Sequence, residues 1–294
     1  MVQLVGHLTV NEDGEGSNPS APANFFLRTR VASHGEAGEL LRSTDFFRRA
    51  RIAGQAFCDI ANWREVLPHA AAGKAITEIQ LRSGSVLTAA PETGLWSLFS
   101  DVWYHLSYTK LYPISPDSLV VDVGANVGVF SLFAARFSRV VYALEPASSN
   151  YSRLVSNTSR VHNIVPLNCA CAAYDGSGSL DVSGIPVTFS LLTSSSAATQ
   201  EPVDVISLAT LFKRYTIDRC DFLKLDCEGA EFEIILQADP SLLNRVRTIV
   251  MEYHDHLSSN YSHVDLLEKL KSLGFQASSY NSNGTYGMIA ASKP

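Results

Sequence analysis

Apolar residues follow two different spacings along this chain. From about Ser43 to Ala71 they recur at helical intervals, with Phe46, Phe47, Ile52, Phe57, Ile60, Trp63 and Val66 forming the stripe. Ile76–Leu81 and Val86–Thr88 flank a polar Arg82-Ser-Gly-Ser85 turn and read as a hairpin, and Leu95–Tyr104 reads as an aromatic-rich helix. From Leu119 onward the pattern changes to short β-branched runs of the kind that make strands buried on both faces. These runs are Leu119–Val123, Val140–Leu144, Ile164–Ala170, Asp221–Asp226 and Val246–His254. Helical spacing over Phe130–Arg136, Ser207–Tyr215 and Val264–Leu273 separates them, with Gly274 placed to end the last helix. Asp175-Gly-Ser-Gly178 reads as a turn and Ser179–Ala198 as an inserted hairpin and loop. Phe275–Ser279 and Tyr286–Ala291 read as a hairpin around Asn283-Gly284.

Strands alternating with helices predict an α/β fold: a Rossmann-like, doubly wound, mostly parallel sheet ending in an antiparallel hairpin. An accessory segment of helix and hairpin precedes it. The expected divisions are a flexible arm over 1–42, an accessory segment over 43–115 placed to act as a lid, and the ligand-binding domain over 116–294. The small, Pro/Gly-rich run Asn11–Asn24 marks the arm.

Composition narrows the function classes. An apolar content of 46% and a charged content of 18% describe an ordinary globular enzyme. A net charge of −6 speaks against a nucleic-acid substrate, whose phosphates call for clustered Lys and Arg. No apolar run approaches the ~18 residues of a membrane span, and Met1–Gly6 lacks the basic and apolar regions of a signal peptide, so the expected location is cytoplasmic. The five cysteines lack paired metal-ligand spacing and read as reduced thiols.

The candidate chemistry begins where the first buried run ends, in Asp122-Val-Gly124-Ala-Asn126-Val-Gly128. Gly124 permits a tight turn and close approach to a ligand, and Gly128 lets the following helix pack against the strand. A dinucleotide site carries a bare glycine at the middle position, where this chain has Asn126. That side chain crowds a pyrophosphate but can bond an amino-acid end, and Asp122 at the strand tip suits a cationic ligand. S-adenosylmethionine (SAM), with an amino group, a sulfonium and a ribose, fits both departures. Glu145, 21 positions after Gly124 and closing the next strand, is placed to hold ribose hydroxyls. Residues after the third strand, around Cys171 and Ala172, are expected near the adenine.

A second cluster lies in Lys224-Leu-Asp226-Cys-Glu228-Gly-Ala-Glu231, which brings Asp226 to the same strand ends as Asp122 and Glu145. Three carboxylates converging there call for a cation, either the sulfonium or a divalent metal. Glu228 reads equally as a site residue or as a first-turn helix acid, and Glu231 as a salt-bridging residue. Together with Glu145-Pro146 and Glu252-Tyr-His254, these stretches resemble the FkbM-type SAM-dependent methyltransferases over roughly residues 116–291. The resemblance implies a class I methyltransferase fold that O-methylates hydroxyls of sugars, polyketides or other natural products. One departure is Ser207-Leu-Ala209, where such proteins often carry Thr-Leu-Asp.

Methyl transfer to a hydroxyl needs positioning and a base. His254, at a strand end and expected to be oriented by Glu252, is the first candidate, and Asp226 the second. The reading these residues favour is an O-methyltransferase without a metal ligand set, acting on a small-molecule or glycan acceptor. Two alternatives stay open: a metal-assisted enzyme in which Asp226, Glu228 and His254 hold Mg²⁺ or a similar ion, and a non-catalytic SAM-binding module.

Overall fold

The computed structural model describes residues 50–182, 190–191, 200–258 and 260–294. The arm expected over 1–42 lies outside these residues. The chain divides into two compact units, Met1–Gly54 and Gln55–Pro294, and everything below belongs to the second. The accessory segment from residue 55 onward therefore shares one unit with the sheet.

That segment holds α1 (Trp63–Ala71), β1 (Glu78–Gln80), β2 (Val86–Thr88) and α2 (Leu95–Ser100), which widens into a π-type turn over Asp101–His105. The helical stripe expected to run unbroken to Ala71 is interrupted at Ile60. Its backbone bridges Leu81, and Ala61 N–H donates to Gln80 O at 2.7 Å. Pairing with the hairpin wins over helical continuity because it buries Ile60, Ile79 and Leu87 completely.

Next come β3 (Ser118–Val123), α3 (Val129–Ala135), β4 (Ser138–Leu144), α4 (Ser148–Thr158) and β5 (Ile164–Leu167). A smaller group follows: β6 (Ala170–Ala172), β7 (Gly176–Asp181), β8 (Ser190–Leu191) and β9 (Gln200–Ser207). The chain continues through α5 (Leu208–Arg214), β10 (Cys220–Leu225), α6 (Glu231–Leu236), α7 (Pro240–Leu243), β11 (Val246–His254), α8 (His263–Ser272), β12 (Gln276–Tyr280) and β13 (Tyr286–Ser292).

The architecture is the expected α/β one. Seven strands lie in the order β12-β13-β11-β10-β3-β4-β5. Neighbours from β11 to β5 pair in parallel, and β13 runs antiparallel to both β11 and β12, so the terminal hairpin stands as expected. The strand order reverses direction at β3, which puts a crevice beyond the carboxyl ends of β3, β4 and β10. All six residues of β3 are buried, including the polar Ser118 and Asp122, as a strand covered on both faces requires. Val121, Val123, Leu223, Leu225, Ile249 and Met251 form the centre of a core closed by Phe212, Phe232 and Leu266.

Two local readings need correction. The run Ile164–Ala170, expected as one strand, divides: β5 stays in the central sheet, and β6 leaves it to pair in parallel with β9. Gly176–Gly178, expected as a turn, opens β7 and pairs with Val203–Val205 of β9. The eight-residue β9 offers a template on both sides, and the small sheet buries Ala170, Ala172, Leu180, Val203 and Val205 around Ala147.

Asn157 on α4 ties the accessory hairpin to the glycine turn. Its Nδ2 donates to Val127 O at 2.8 Å and to Thr88 O at 3.0 Å, and its Oδ1 accepts from Thr88 N–H at 3.0 Å. Among the described residues no helix is long and apolar enough to cross a membrane.

Candidate active site

The turn after β3 is shaped by three left-handed residues, Gly124 at φ +75°, Asn126 at φ 51° and Gly128 at φ +91°. At Gly124 the reason is contact within the protein: an added Cβ would lie 1.8 Å from the Asp226 carbonyl oxygen. The close approach expected toward a ligand is thus made to the end of β10. At Gly128 a Cβ would meet Leu154 Cδ1 at 2.8 Å, so this glycine lets α4, and not the strand, pack beside α3. Gly124 N–H and Ala125 N–H donate to Leu144 O at 3.1 and 2.9 Å, which moors the turn to β4.

Glu145 follows directly on β4. One carboxylate oxygen accepts Asn126 N–H at 2.8 Å and the other accepts Ala147 N–H at 2.9 Å. Burial outweighs these donors and raises its pKa to about 7. Each oxygen keeps a lone pair for a further donor. Glu145, Asn126 and Asn150 line a cavity of about 290 Å³ at the sheet's carboxyl end. Cys169, Ala170, Cys171 and Leu180 supply an apolar wall, and the accessory segment contributes Leu98, Asp101, Val102 and Tyr108. Ala172, expected near the adenine, is buried instead in the small sheet's core.

Asp122 does not reach this cavity. Its side chain is fully buried, its Oδ2 accepts from Ser131 Oγ at 2.6 Å, and its Oδ1 lies 3.1 Å from Lys224 Nζ. The two residues are register partners on adjacent parallel strands. Lys224 donates to Gly124 O at 2.7 Å and sits 3.7 Å from Asp226 Oδ2. Burial disfavours its ammonium, but Asp122 and Asp226 outweigh that and hold its pKa above the ordinary value. The cation that neutralises the strand-tip acids beside β3 is therefore the chain's own, and Asp122 is corrected from a ligand contact to the partner of Lys224.

Asp226 does face the cavity, with its Oδ2 accepting from Tyr108 O–H at 2.7 Å. Glu228 lies in the turn before α6, at φ 49°, so it is not a first-turn helix acid. Its Oε2 is 3.5 Å from His254 Nε2. His254 ends β11 and is oriented by Glu231, not by Glu252 as expected. Glu231 Oε1 lies 3.0 Å from His254 Nδ1 and also accepts His254 N–H at 3.0 Å, while its Oε2 accepts Gly229 N–H at 2.9 Å. The salt-bridging role read for Glu231 is what the geometry shows.

Burial works against a charged His254 ring, yet the Glu231 hydrogen bond and the charges of Glu231, Glu228 and Asp226 raise its pKa to about 9. The isolated ring is therefore cationic at neutral pH and must lose a proton before it can act as a base. Burial, reinforced by neighbouring acids, raises Glu228 and Glu252 to about 7 each. Burial also pushes the Cys169 thiol up to about 11 and holds Cys171 higher still, so neither thiol is a nucleophile near neutrality.

Sequence reasoning missed Lys224 and Tyr108. Lys224 had a signal, since its place in β10 puts it beside Asp122 once the two strands pair. Tyr108 stands in an irregular segment with no periodicity to mark it. The departure at Ala209 falls on the exposed face of α5, outside the cavity. Asp175 serves that helix start instead, accepting from Ser207 N–H at 2.8 Å and Thr210 Oγ1 at 2.7 Å.

A family model described as the methyltransferase FkbM domain matches residues 122–277. The chain is 27% identical over 176 residues to the 31-O-demethyl-FK506 methyltransferase FkbM of Streptomyces tacrolimicus, covering 48% of this chain and 67% of that protein. It is 29% identical over 182 residues to the AMB antimetabolite synthetase AmbE of Pseudomonas aeruginosa, covering 48% of this chain and 9% of the synthetase. Among solved structures, a methyltransferase FkbM from Methylobacillus flagellatus aligns with a TM-score of 0.45 at 15% identity, covering 66% of this chain and 47% of that one.

Proposed function

Because the chain belongs to the FkbM methyltransferase domain family, we propose that it transfers a methyl group from SAM to a hydroxyl of a small-molecule or glycan acceptor. The observation that carries the cofactor is Glu145, an acceptor-only group at the tip of β4 that is braced by two backbone N–H groups and lines the cavity. A vicinal diol offers two donors to such a carboxylate. Asn126 and the turn around it form the wall nearest the amino-acid portion, and Cys169, Ala170, Cys171 and Leu180 form an apolar wall suited to the adenine. With Asp122 committed to Lys224, the amino group is left to Asn126, Asp101 or the turn's backbone.

When bound, SAM supplies a methyl carbon: the acceptor oxygen bonds to it as the carbon–sulfur bond breaks and its electron pair passes to sulfur. The acceptor's proton leaves toward Asp226, Glu228, Glu252 and His254, which line the cavity at the ends of β10 and β11. These strands stand two and three places along the sheet from the Glu145 strand. Tyr108 holds Asp226 in place, and Glu231 holds His254, whose ring serves as a receiver only after it has given up its own proton.

Incubation with trideuteromethyl-labelled SAM and a panel of sugar and polyketide alcohols tests the acceptor class. Mass spectrometry should find the label in an ether. Label on nitrogen or carbon would contradict transfer to oxygen.

A further inference from the structure

At the ends of β10 and β11, Asp226, Glu228 and His254 each offer one ligand atom, and the three atoms lie within 4.8 Å of one another. Octahedral ligands at about 2.1 Å from a small divalent ion stand about 3–4 Å apart, so this set needs little inward movement to close on one. Two carboxylate oxygens and one imidazole nitrogen are donors for a hard or borderline cation.

A second observation comes from outside the three. Glu231, fully buried on α6, holds His254 Nδ1 at 3.0 Å, which directs the opposite ring nitrogen toward the cavity. The His254 side chain is 8% exposed, and its Nε2 makes no hydrogen bond among the described residues; its neighbour is the Glu228 carboxylate at 3.5 Å. A carboxylate gripping the far nitrogen of an inward-facing histidine is the arrangement that orients metal-ligating imidazoles. The Glu252 carboxylate lines the same cavity beside these three ligands. Lys224 reaches only the Asp226 end of this group, 3.7 Å from its Oδ2, while its ammonium is also shared with Asp122 and the Gly124 carbonyl.

We propose that Asp226, Glu228 and His254 bind a divalent cation of the Mg²⁺ or Mn²⁺ class on the acceptor side of the cavity, with Glu231 as the positioning residue for His254. The catalytic consequence rests on the methyltransferase reading; the ion site itself does not. Three protein ligands leave positions for water and for the acceptor hydroxyl. Coordination of that hydroxyl lowers its pKa, and its proton passes to the Glu252 carboxylate as the oxygen attacks the methyl carbon.

Titration of the whole chain with MnCl2, without SAM, followed by electron paramagnetic resonance of free Mn²⁺, tests the site. One Mn²⁺ per chain is expected at micromolar concentration. Glu228→Gln and His254→Ala should weaken it by more than tenfold, and Glu231→Gln by about tenfold. Glu201→Gln, on the small sheet, should leave it unchanged. Glu228→Gln alters a turn residue and keeps the test valid if His254→Ala does not fold, which circular dichroism checks. No binding at millimolar Mn²⁺, or binding equal in wild type and Glu228→Gln, would overturn the proposal. SAM binding measured in EDTA reports on the methyltransferase reading separately, so the failure of one is distinguishable from the failure of the other.

Discussion

Lys224 and Asp122 face each other across the β10–β3 pairing with side chains 4% and 0% exposed and their charged atoms 3.1 Å apart. Each is affordable only because the other is there. Lys224→Met leaves a buried carboxylate without its counter-charge and should destabilise the chain by about 3–5 kcal/mol. Asp122→Asn in the same background should recover part of that loss. Urea unfolding of the two single variants and the double variant measures both effects.

Gly124 and Gly128 should respond differently to alanine. At Gly124 the obstacle is backbone, the Asp226 carbonyl at 1.8 Å, and the φ is left-handed. Gly124→Ala should cost about 3 kcal/mol or more and disturb the cavity. At Gly128 the nearest atom is the end of the Leu154 side chain at 2.8 Å, which can turn aside. A cost of about 1–2 kcal/mol is expected there, with thermal unfolding as the readout.

Asn157→Ala removes the link between the accessory hairpin and the glycine turn and strands the Thr88 and Val127 groups it now serves. A loss of about 2–3 kcal/mol is expected. Limited proteolysis should cut the β1–β2 hairpin faster in the variant.

Glu145 makes SAM affinity pH-dependent. Its pKa of about 7 lies above the ordinary carboxylate value, so the folded chain holds a proton that the unfolded chain releases. The associated stability is complete below the ordinary value and is lost as pH rises through about 7. Two ribose donors favour the ionised form, so affinity should move the opposite way, falling toward tenfold per pH unit below about 7. Glu145→Gln should bind SAM weakly with no such slope. Calorimetric titrations on both sides of the Glu145 pKa of about 7 compare the two.

The β3, β10 and β11 strands and the placement of Glu145, Asp226 and His254 at one end of the sheet were legible in the sequence, because buried strands advertise themselves as apolar runs with charged ends. Side-chain direction was not legible. Asp122 was read as facing a ligand because it sits at a strand tip, yet pairing with β10 sets it opposite Lys224. His254 was matched to the acid two residues away, whereas its partner Glu231 comes from α6. Ala172 lies beyond the cavity, in the core that β6 forms with β7 and β9. Tyr108 became visible only when the accessory segment folded over the crevice. Pattern locates a residue along its own element, and partners on other elements are fixed by packing.

Calorimetric titration of SAM into the wild-type chain and into Glu145→Ala, each with EDTA present, bears most directly on the cofactor site. Binding by the wild type that is lost or weakened at least tenfold in Glu145→Ala is the expected result. Equal binding by both chains, or none by the wild type with and without EDTA, would contradict the assignment of this cavity to SAM.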